Sequence, residues 1–469
     1  MAIPQKKCKI LVYELNEVPR RLIDTYIKNY PSSAIAEIVE HGVLLNTITN
    51  DEGELSPWIT WPTVHRGVDN RIHNIRYINQ NLSFSKKYKP IWEILNENQI
   101  DVGVFGSLQS FPPKKSKNYK FYLPDTFAPQ PDAYPKELSL FQEFNLNLTG
   151  ENKAKSRGIK AKNVIDLINL LSKGVISKKS AIKAILHIIK EQINPKYKAQ
   201  RSIIQNVFSF NIYLKYLYKY QPSFSTYFTN HVAGMMHRYW KNLYPNDFGL
   251  KEDQVDIFHS RSIIKAMHLA DKNLKDLIIF AKKKKYELLV ISSMGQEAIE
   301  RGEYVPELTL RDFNKFIKIL DINLNDYKLL PAMQPDYCIK SKNQEAMEKL
   351  RERIKYLEDT HGNKLLIERN KPVGLEVNFS MQNPTSLSIS KSCYFKKKSY
   401  KLNELGLELI TRDIGTGYHI PEGILAWYGN ESKKIKSYKN EYIDTRRICP
   451  TILKIYGIKI PKYMISPLY

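Results

Sequence analysis

The run CKILVYEL, residues 8–15, is apolar at almost every position. This feature constrains the chain most. A strand with one wet face alternates apolar and polar residues, whereas a strand covered on both faces does not. A second such run, YELLVI at 286–291, follows a long helical stretch, SIIKAMHLADKNLKDLIIFAKKKK. Between them, IWEILNENQIDVGVFGS (91–107) reads as helix, turn and strand, and RRLIDTYIKNY reads as an amphipathic helix. Covered strands alternating with helices predict a doubly wound, mainly parallel α/β sheet with helices on both faces. Ligands bind such sheets at the carboxyl ends of the strands. The segment ELNEVP puts Glu14, Asn16 and Glu17 at or just past one of those ends.

At 469 residues the chain is long enough for two or three subdomains. The α/β pattern is broken twice. AKNVIDLINLLSKG and KKSAIKAILHIIKEQI are helical, basic and free of strand pattern. They define an inserted basic helical subdomain at 145–222. A mixed α+β cap is read at 297–405. The core then comprises residues 1–144, 223–296 and 406–469.

Lys and Arg number 72 against 48 Asp and Glu, a net charge of +24. Such an excess suits an anionic small molecule or glycan as substrate, or peripheral contact with an anionic membrane. A compositional habit, with lysines on solvated helices, explains it equally well. No nucleic-acid motif is present, so charge alone does not make a nucleic-acid binder. The four cysteines, Cys8, Cys338, Cys393 and Cys449, show neither zinc-knuckle nor disulfide-framework spacing. The first apolar run is too short for a signal peptide, and no stretch approaches a membrane span. A cytoplasmic protein is expected.

Four pieces share an order with a known group. They are IWEILNENQIDVGVFG, LADKNLKDLIIFAKKKKYELLVISS, TGYHIPEGILAWYG and the C-terminal DTRRICPTILKIYGIKIP. Together they resemble the alkaline phosphatase superfamily, in particular its type I phosphodiesterase/nucleotide pyrophosphatase branch. The resemblance covers the chain apart from the two insertions. It implies two zinc-class ions held by Asp and His, and a Ser or Thr nucleophile at a helix N-terminus. The ions would polarise the phosphoryl oxygens, and the helix start would offer N–H groups to the anion.

The stretch SPWITWPTVHRGVDNRIHNI (56–75) carries the nucleophile motif. Thr60-Trp61-Pro62 copies the group's Thr-x-Pro, which makes Thr60 the nucleophile. Aligned instead from Gly67 and His73, the nucleophile slot falls on Pro57, and Thr60 takes the slot of a phosphate-contacting Asn. A one-residue slip offers Ser56. Ser56-Pro57 is also an ordinary helix-start pair.

The resemblance puts an Asp ligand after the first strand, where Glu14 and Asn16 stand. It puts an Asp-x-x-x-His pair in TNHVAGMMHRYW, where Asn230, His231 and His237 are the available groups. It puts Asp-His after YELLVI, where Ser293 and Met294 stand. His419, in GYHIPEG, matches. These departures speak against a two-zinc site. One divalent ion, zinc or manganese, or none is the expectation, with Glu14, His231, His237 and His419 as the ligands where an ion is bound. A metal-free site would use His65, His231 or His237 as acid or base, with Arg66 or Arg71 holding an anion.

Trp58, Trp61 and Trp240 lie near these groups in sequence and suit stacking on a sugar or base. Core packing is the plainer reading for any one of them. Asn16, Asn230 and Ser293 complete the expected substrate contacts. Arg311 and Asp312 read equally as a surface ion pair. Glu14, Ser293 and His419 should meet at one edge of the sheet.

The activity implied is hydrolysis or transfer of a phosphate-linked group, from a nucleotide-sugar or phosphorylated glycan. A glycosyl or sulfuryl transferase on the same scaffold, or a binding protein without catalysis, are the alternatives.

Overall fold

Strand β1 (Ile10–Leu15) is buried at all six positions, and its alternation builds both faces of the molecule. Ile10 and Val12 enter one hydrophobic core, Leu11, Tyr13 and Leu15 the other. The computed structural model describes residues 8–78, 80–151, 161–300, 306–332, 335–369, 374–383, 387, 390–410 and 415–469.

The main sheet has eight strands: β1, β2 (Val43–Ile48), β3 (Val102–Phe105), β4 (Tyr119–Leu123), β5 (Phe224–Thr229), β6 (Glu287–Ser292), β7 (Glu422–Tyr428) and β8 (Tyr442–Asp444). Their order is β8-β2-β7-β6-β1-β5-β3-β4. All pair in parallel except β7, which is antiparallel to β2 and β6. The doubly wound, mainly parallel α/β core expected from the sequence is the fold observed. The chain leaves β1 towards both halves of the sheet, so the carboxyl ends of β1, β5 and β6 form its natural binding edge.

One face is covered by helices Pro57–Arg66, Ile91–Glu97 and Ile448–Ile455. The other carries, among others, Leu138–Glu151, Arg201–Tyr220, His231–Leu243 and Ile257–Lys284. Helix Ala161–Ser172 packs against Leu138–Glu151, helix Lys178–Ile193 packs against Arg201–Tyr220, and both add small or apolar residues to the same core. Residues 152–160, within the segment read as a helical insertion, lie outside the described residues.

The segment read as a cap has, among its described residues, a hydrophobic core of its own. Its largest sheet is antiparallel, in the order Leu366–Glu368, Glu376–Met381, Asp336–Ser341, Tyr327–Leu330. Strand Glu307–Leu310 pairs with Leu407–Ile410, so the cap's entrance and exit lie side by side. Among the described residues no helix is long and apolar enough to cross a membrane.

The same alternation corrects the reading of Glu14. It shares the face of Ile10 and Val12 and therefore points beneath the Pro57–Arg66 helix. There its Oε1 lies 2.7 Å from His65 Nε2, with both residues buried. His65 stacks on Trp61 and meets Trp92 edge-on. Glu14 and His65 thus form a buried pair inside the core, not a ligand and an acid–base group at the sheet edge. Removing one partner strands the other without solvent. His65→Ala should lower the unfolding free energy by about 2–4 kcal/mol in urea denaturation, with no change in bound metal.

Candidate metal centre

The chain turns sharply where β1 ends. Asn16 N–H still bonds Thr229 O, but Glu17 adopts a left-handed backbone with φ 58°. A non-glycine residue there costs on the order of 1 kcal/mol, so neighbouring contacts must hold it. The turn swings the Glu17 carboxylate over the edge of the sheet, where the residue is buried. Its Oε1 accepts from Asn16 Nδ2 at 2.7 Å. Its Oε2 lies 2.8 Å from His237 Nε2 and 3.3 Å from His419 Nε2, and also accepts from Gln296 Nε2.

Both imidazoles are oriented from behind. His237 Nδ1 is 2.9 Å from Gly417 O, and His419 Nδ1 is 2.7 Å from Leu55 O. A carbonyl only accepts, so each Nδ1 carries the proton. Each Nε2 therefore faces Glu17, and a ring that gives up its Nε2 proton would offer a lone pair to an ion held there. The ligand atoms of Glu17, His237 and His419 all lie within 4.8 Å of one another. Two imidazoles and one carboxylate, each braced by a second hydrogen bond, fit one zinc-class ion with a position left open.

Charge supports the same reading. Burial works to raise the Glu17 carboxyl, but His419 and His237 outweigh it and hold the group well below the usual carboxylate range. Burial works to lower His419, but Glu17 outweighs it and the imidazole is raised. The pocket favours a cation beside Glu17, and a metal ion would replace the protons.

Local sequence makes the approach possible. Gly417 lies so close to the His231–Leu243 helix that a Cβ would stand 2.6 Å from Met236 O. A Cβ on Gly295 would stand 2.4 Å from Glu422 O. These two glycines let strand Gly417–Ile420 pair with Gly295–Ala298, which sets His419 opposite Gln296.

Of the ligands expected from sequence, His237 and His419 come together, whereas Glu14 and His231 do not join them. His231 has both ring nitrogens engaged, Nδ1 at 2.7 Å from Thr229 Oγ1 and Nε2 at 3.0 Å from Ala266 O. Burial holds it down at about 4. Six residues of helix separate it from His237, about 120° around the axis, so the two rings face different ways. Glu17 takes the carboxylate role assigned to Glu14. The signal was available, because Glu17 lies past the strand while Glu14 lies within it. Gln296 was missed; nothing in SSMGQ marked it.

The other candidates divide. Asn16 Nδ2 donates to Asn230 Oδ1 at 2.7 Å, and Asn16 Oδ1 accepts from Trp61 Nε1 at 2.7 Å. Asn16 and Asn230 therefore flank the centre, and Trp61 is a buried brace beneath it, not a stacking surface. Trp240 is buried elsewhere, donating to Asp247 and stacked by Arg21. Trp58 is half-buried and lines a cavity of about 500 Å³ with Phe111, Phe127, Lys328 and Lys340.

Thr60 Oγ1 lies 2.8 Å from Ser293 Oγ, both fully buried. Ser56 caps the Pro57–Arg66 helix by position only, since its buried Oγ has no partner. Arg66 is corrected: it is buried on the far side of that helix, where burial lowers its guanidinium to about 10. Arg71 is tied to Asp69 and Glu52, and Arg311 to Glu408. Asp312 caps a short cap helix.

No protein-family model and no curated protein matches the chain. Solved structures do. Murine ectonucleotide pyrophosphatase/phosphodiesterase 5 aligns over 97% of this chain and 96% of its own, at 12% identity and TM-score 0.39. Phosphonoacetate hydrolase from Sinorhizobium meliloti 1021 aligns over 96% and 95%, at 11% and 0.40. Alkaline phosphatase PafA aligns over 100% and 99%, at 12% and 0.47. The likeness is one of fold only and assigns no residue role to this chain.

Elemental analysis of protein purified without a metal-affinity tag and equilibrated with Zn²⁺ or Mn²⁺ should find at most one tightly bound ion per chain. Glu17→Gln and His419→Ala should lose it. Glu14→Gln and His231→Gln should keep it.

Proposed function

We propose that the protein is a single-metal enzyme that hydrolyses or transfers a phosphate-linked group. The Glu17–His237–His419 cluster carries this reading: its three ligand atoms lie within 4.8 Å of one another and could hold one cation, and a tetrahedral ion on three protein ligands keeps a position for substrate. When bound, a zinc-class ion supplies Lewis acidity towards a phosphoryl oxygen and makes an attacking hydroxyl or water more acidic.

The chain's own groups supply the rest. Asn230, exposed beside the cluster and held through its Oδ1 by Asn16, presents an amide that suits orienting a polar substrate. The Pro57–Arg66 helix begins beside it, because Leu55 O holds His419 and Ser56 follows directly. A helix start favours an anion electrostatically. Ser56 Oγ, buried and unpartnered, is the better candidate nucleophile. Thr60 is already engaged with Ser293, which suits a substrate contact or a positioning role. Without a metal, His237 would serve as acid or base against Glu17.

The Trp58 cavity supports a nucleotide-sugar or phosphorylated glycan as substrate. Leu108, Gln109 and Asp125, which follow β3 and β4, line it, so it opens on the same sheet edge as Glu17. It combines aromatic faces for a ring with Lys328 and Lys340 for anionic groups. A cytoplasmic place of action belongs to this proposal; the four cysteines are free thiols.

The test is turnover of a panel of nucleotide-sugars and simple phosphodiesters with Zn²⁺ or Mn²⁺. His419→Ala and Glu17→Gln should lower kcat by roughly 100-fold or more. Trp58→Ala should chiefly raise KM. Ser56→Ala should abolish turnover while ligand still binds, and Thr60→Ala should weaken binding and rate together. Ligand binding without turnover would replace the enzyme by a binding protein. Turnover only with an added acceptor would make it a transferase.

A further inference from the structure

The Lys178–Ile193 helix is packed inside out. Ser180, Ala181, Ala184, His187 and Glu191 face the protein. Ile182, Ile185, Leu186, Ile189 and Ile193 are 57, 51, 52, 49 and 79% exposed. A surface helix ordinarily buries its bulky aliphatic residues and exposes its small ones. At 182, 185, 186, 189 and 193 the exposed residues form one continuous stripe about 100° wide. The neighbouring Ala161–Ser172 helix adds Ile165 and Ile168, exposed to 57 and 59%. An outward aliphatic patch of this kind marks a contact surface.

Charge identifies the occupant. Residues 161–198 contain eight lysines and two acidic residues, Asp166 and Glu191. Glu191 is turned inward and bound by Arg201 at 2.6 and 2.8 Å. Lys178, Lys179, Lys183 and Lys190 are exposed. Lys179, Lys183 and Lys190 fall along one flank of the stripe, from which their aliphatic stems can reach past it.

We propose that this helix docks the protein onto an anionic lipid bilayer. It would lie in the plane of the surface, with the aliphatic stripe among the acyl chains and the lysines at the headgroups. A second copy fits the patch poorly, because pairing would set the exposed Lys178, Lys179, Lys183 and Lys190 against the same four lysines. A protein partner fits less well than lipid, because the stripe holds no Trp, Tyr or Arg of the kind that anchors protein interfaces. The helix spans about 24 Å, and no described helix crosses a membrane, so the contact is peripheral.

The test is co-sedimentation of the full-length protein with phosphatidylcholine vesicles, with and without phosphatidylserine, at low and high salt. Binding should be at least about tenfold tighter with phosphatidylserine, and high salt should weaken it. The triple variant Ile182→Ser/Ile185→Ser/Ile189→Ser should lose at least about tenfold in affinity at an unchanged thermal midpoint, since those side chains are exposed. Lys179→Glu/Lys183→Glu/Lys190→Glu should abolish the phosphatidylserine preference. Equal binding to both vesicle types, no binding, or parent-like binding by both variants would overturn the proposal. A concentration-dependent dimer that the triple serine variant dissolves, without vesicle binding, would assign the stripe to a second copy. Capture of an acidic protein in place of vesicles would assign it to that partner.

Discussion

One carboxylate oxygen organises the functional edge of this protein. Glu17 Oε2 is shared by His237, His419 and Gln296, which arrive from a helix, a strand and the strand beside it. Each arrival depends on backbone. The left-handed turn at Glu17 lifts the carboxylate off the sheet. Gly417 and Gly295 let the late strands lie close enough to deliver His419 and Gln296. The carbonyls of Leu55 and Gly417 fix both imidazoles with Nε2 inward. Loss of any of these would leave a buried charge without its partners, a costly state in a region shielded from water.

The fold was largely legible because β1 and β6 are covered on both faces and therefore read as unbroken apolar runs. Half of the site was legible too. His419 was found as the match to the resemblance's last ligand, and His237 as an available imidazole in the segment where the resemblance puts an Asp-x-x-x-His pair. What failed was direction. Glu14 and Glu17 are three residues apart, but one lies inside a strand, where pleating fixes its face, and the other lies beyond it, where the turn does. His231 and His237 share a helix but face different ways. Run composition gives neither pleat register nor helical phase, and the positive φ of Glu17 is invisible in sequence. Trp61 and Trp240 show the same limit: both neighbour site residues in the chain, and both point into packed interior.

The departures from the two-ion pattern have a consistent physical form. The positions where the resemblance puts further acidic or imidazole ligands hold Glu14 or Asn16, His231, Met235, Ser293 and Met294, with Asn230 next to His231. Asn16, Asn230 and Ser293 are hydrogen-bonding groups, and Met294 is buried. Amides and hydroxyls bind zinc weakly but hold a polar ligand well. The arrangement has the character of one metal position beside a polar cradle. Under the proposed function, the Trp58 cavity would take the organic part of a substrate.

X-ray absorption spectroscopy at the metal edge of zinc- or manganese-loaded protein tests this account most directly. It predicts one metal environment with two imidazole nitrogens and one carboxylate oxygen at about 2.0–2.2 Å, lost on substitution of Glu17 or His419. A spectrum with metal–metal scattering, or one unchanged in Glu17→Gln but lost in Glu14→Gln, would contradict it.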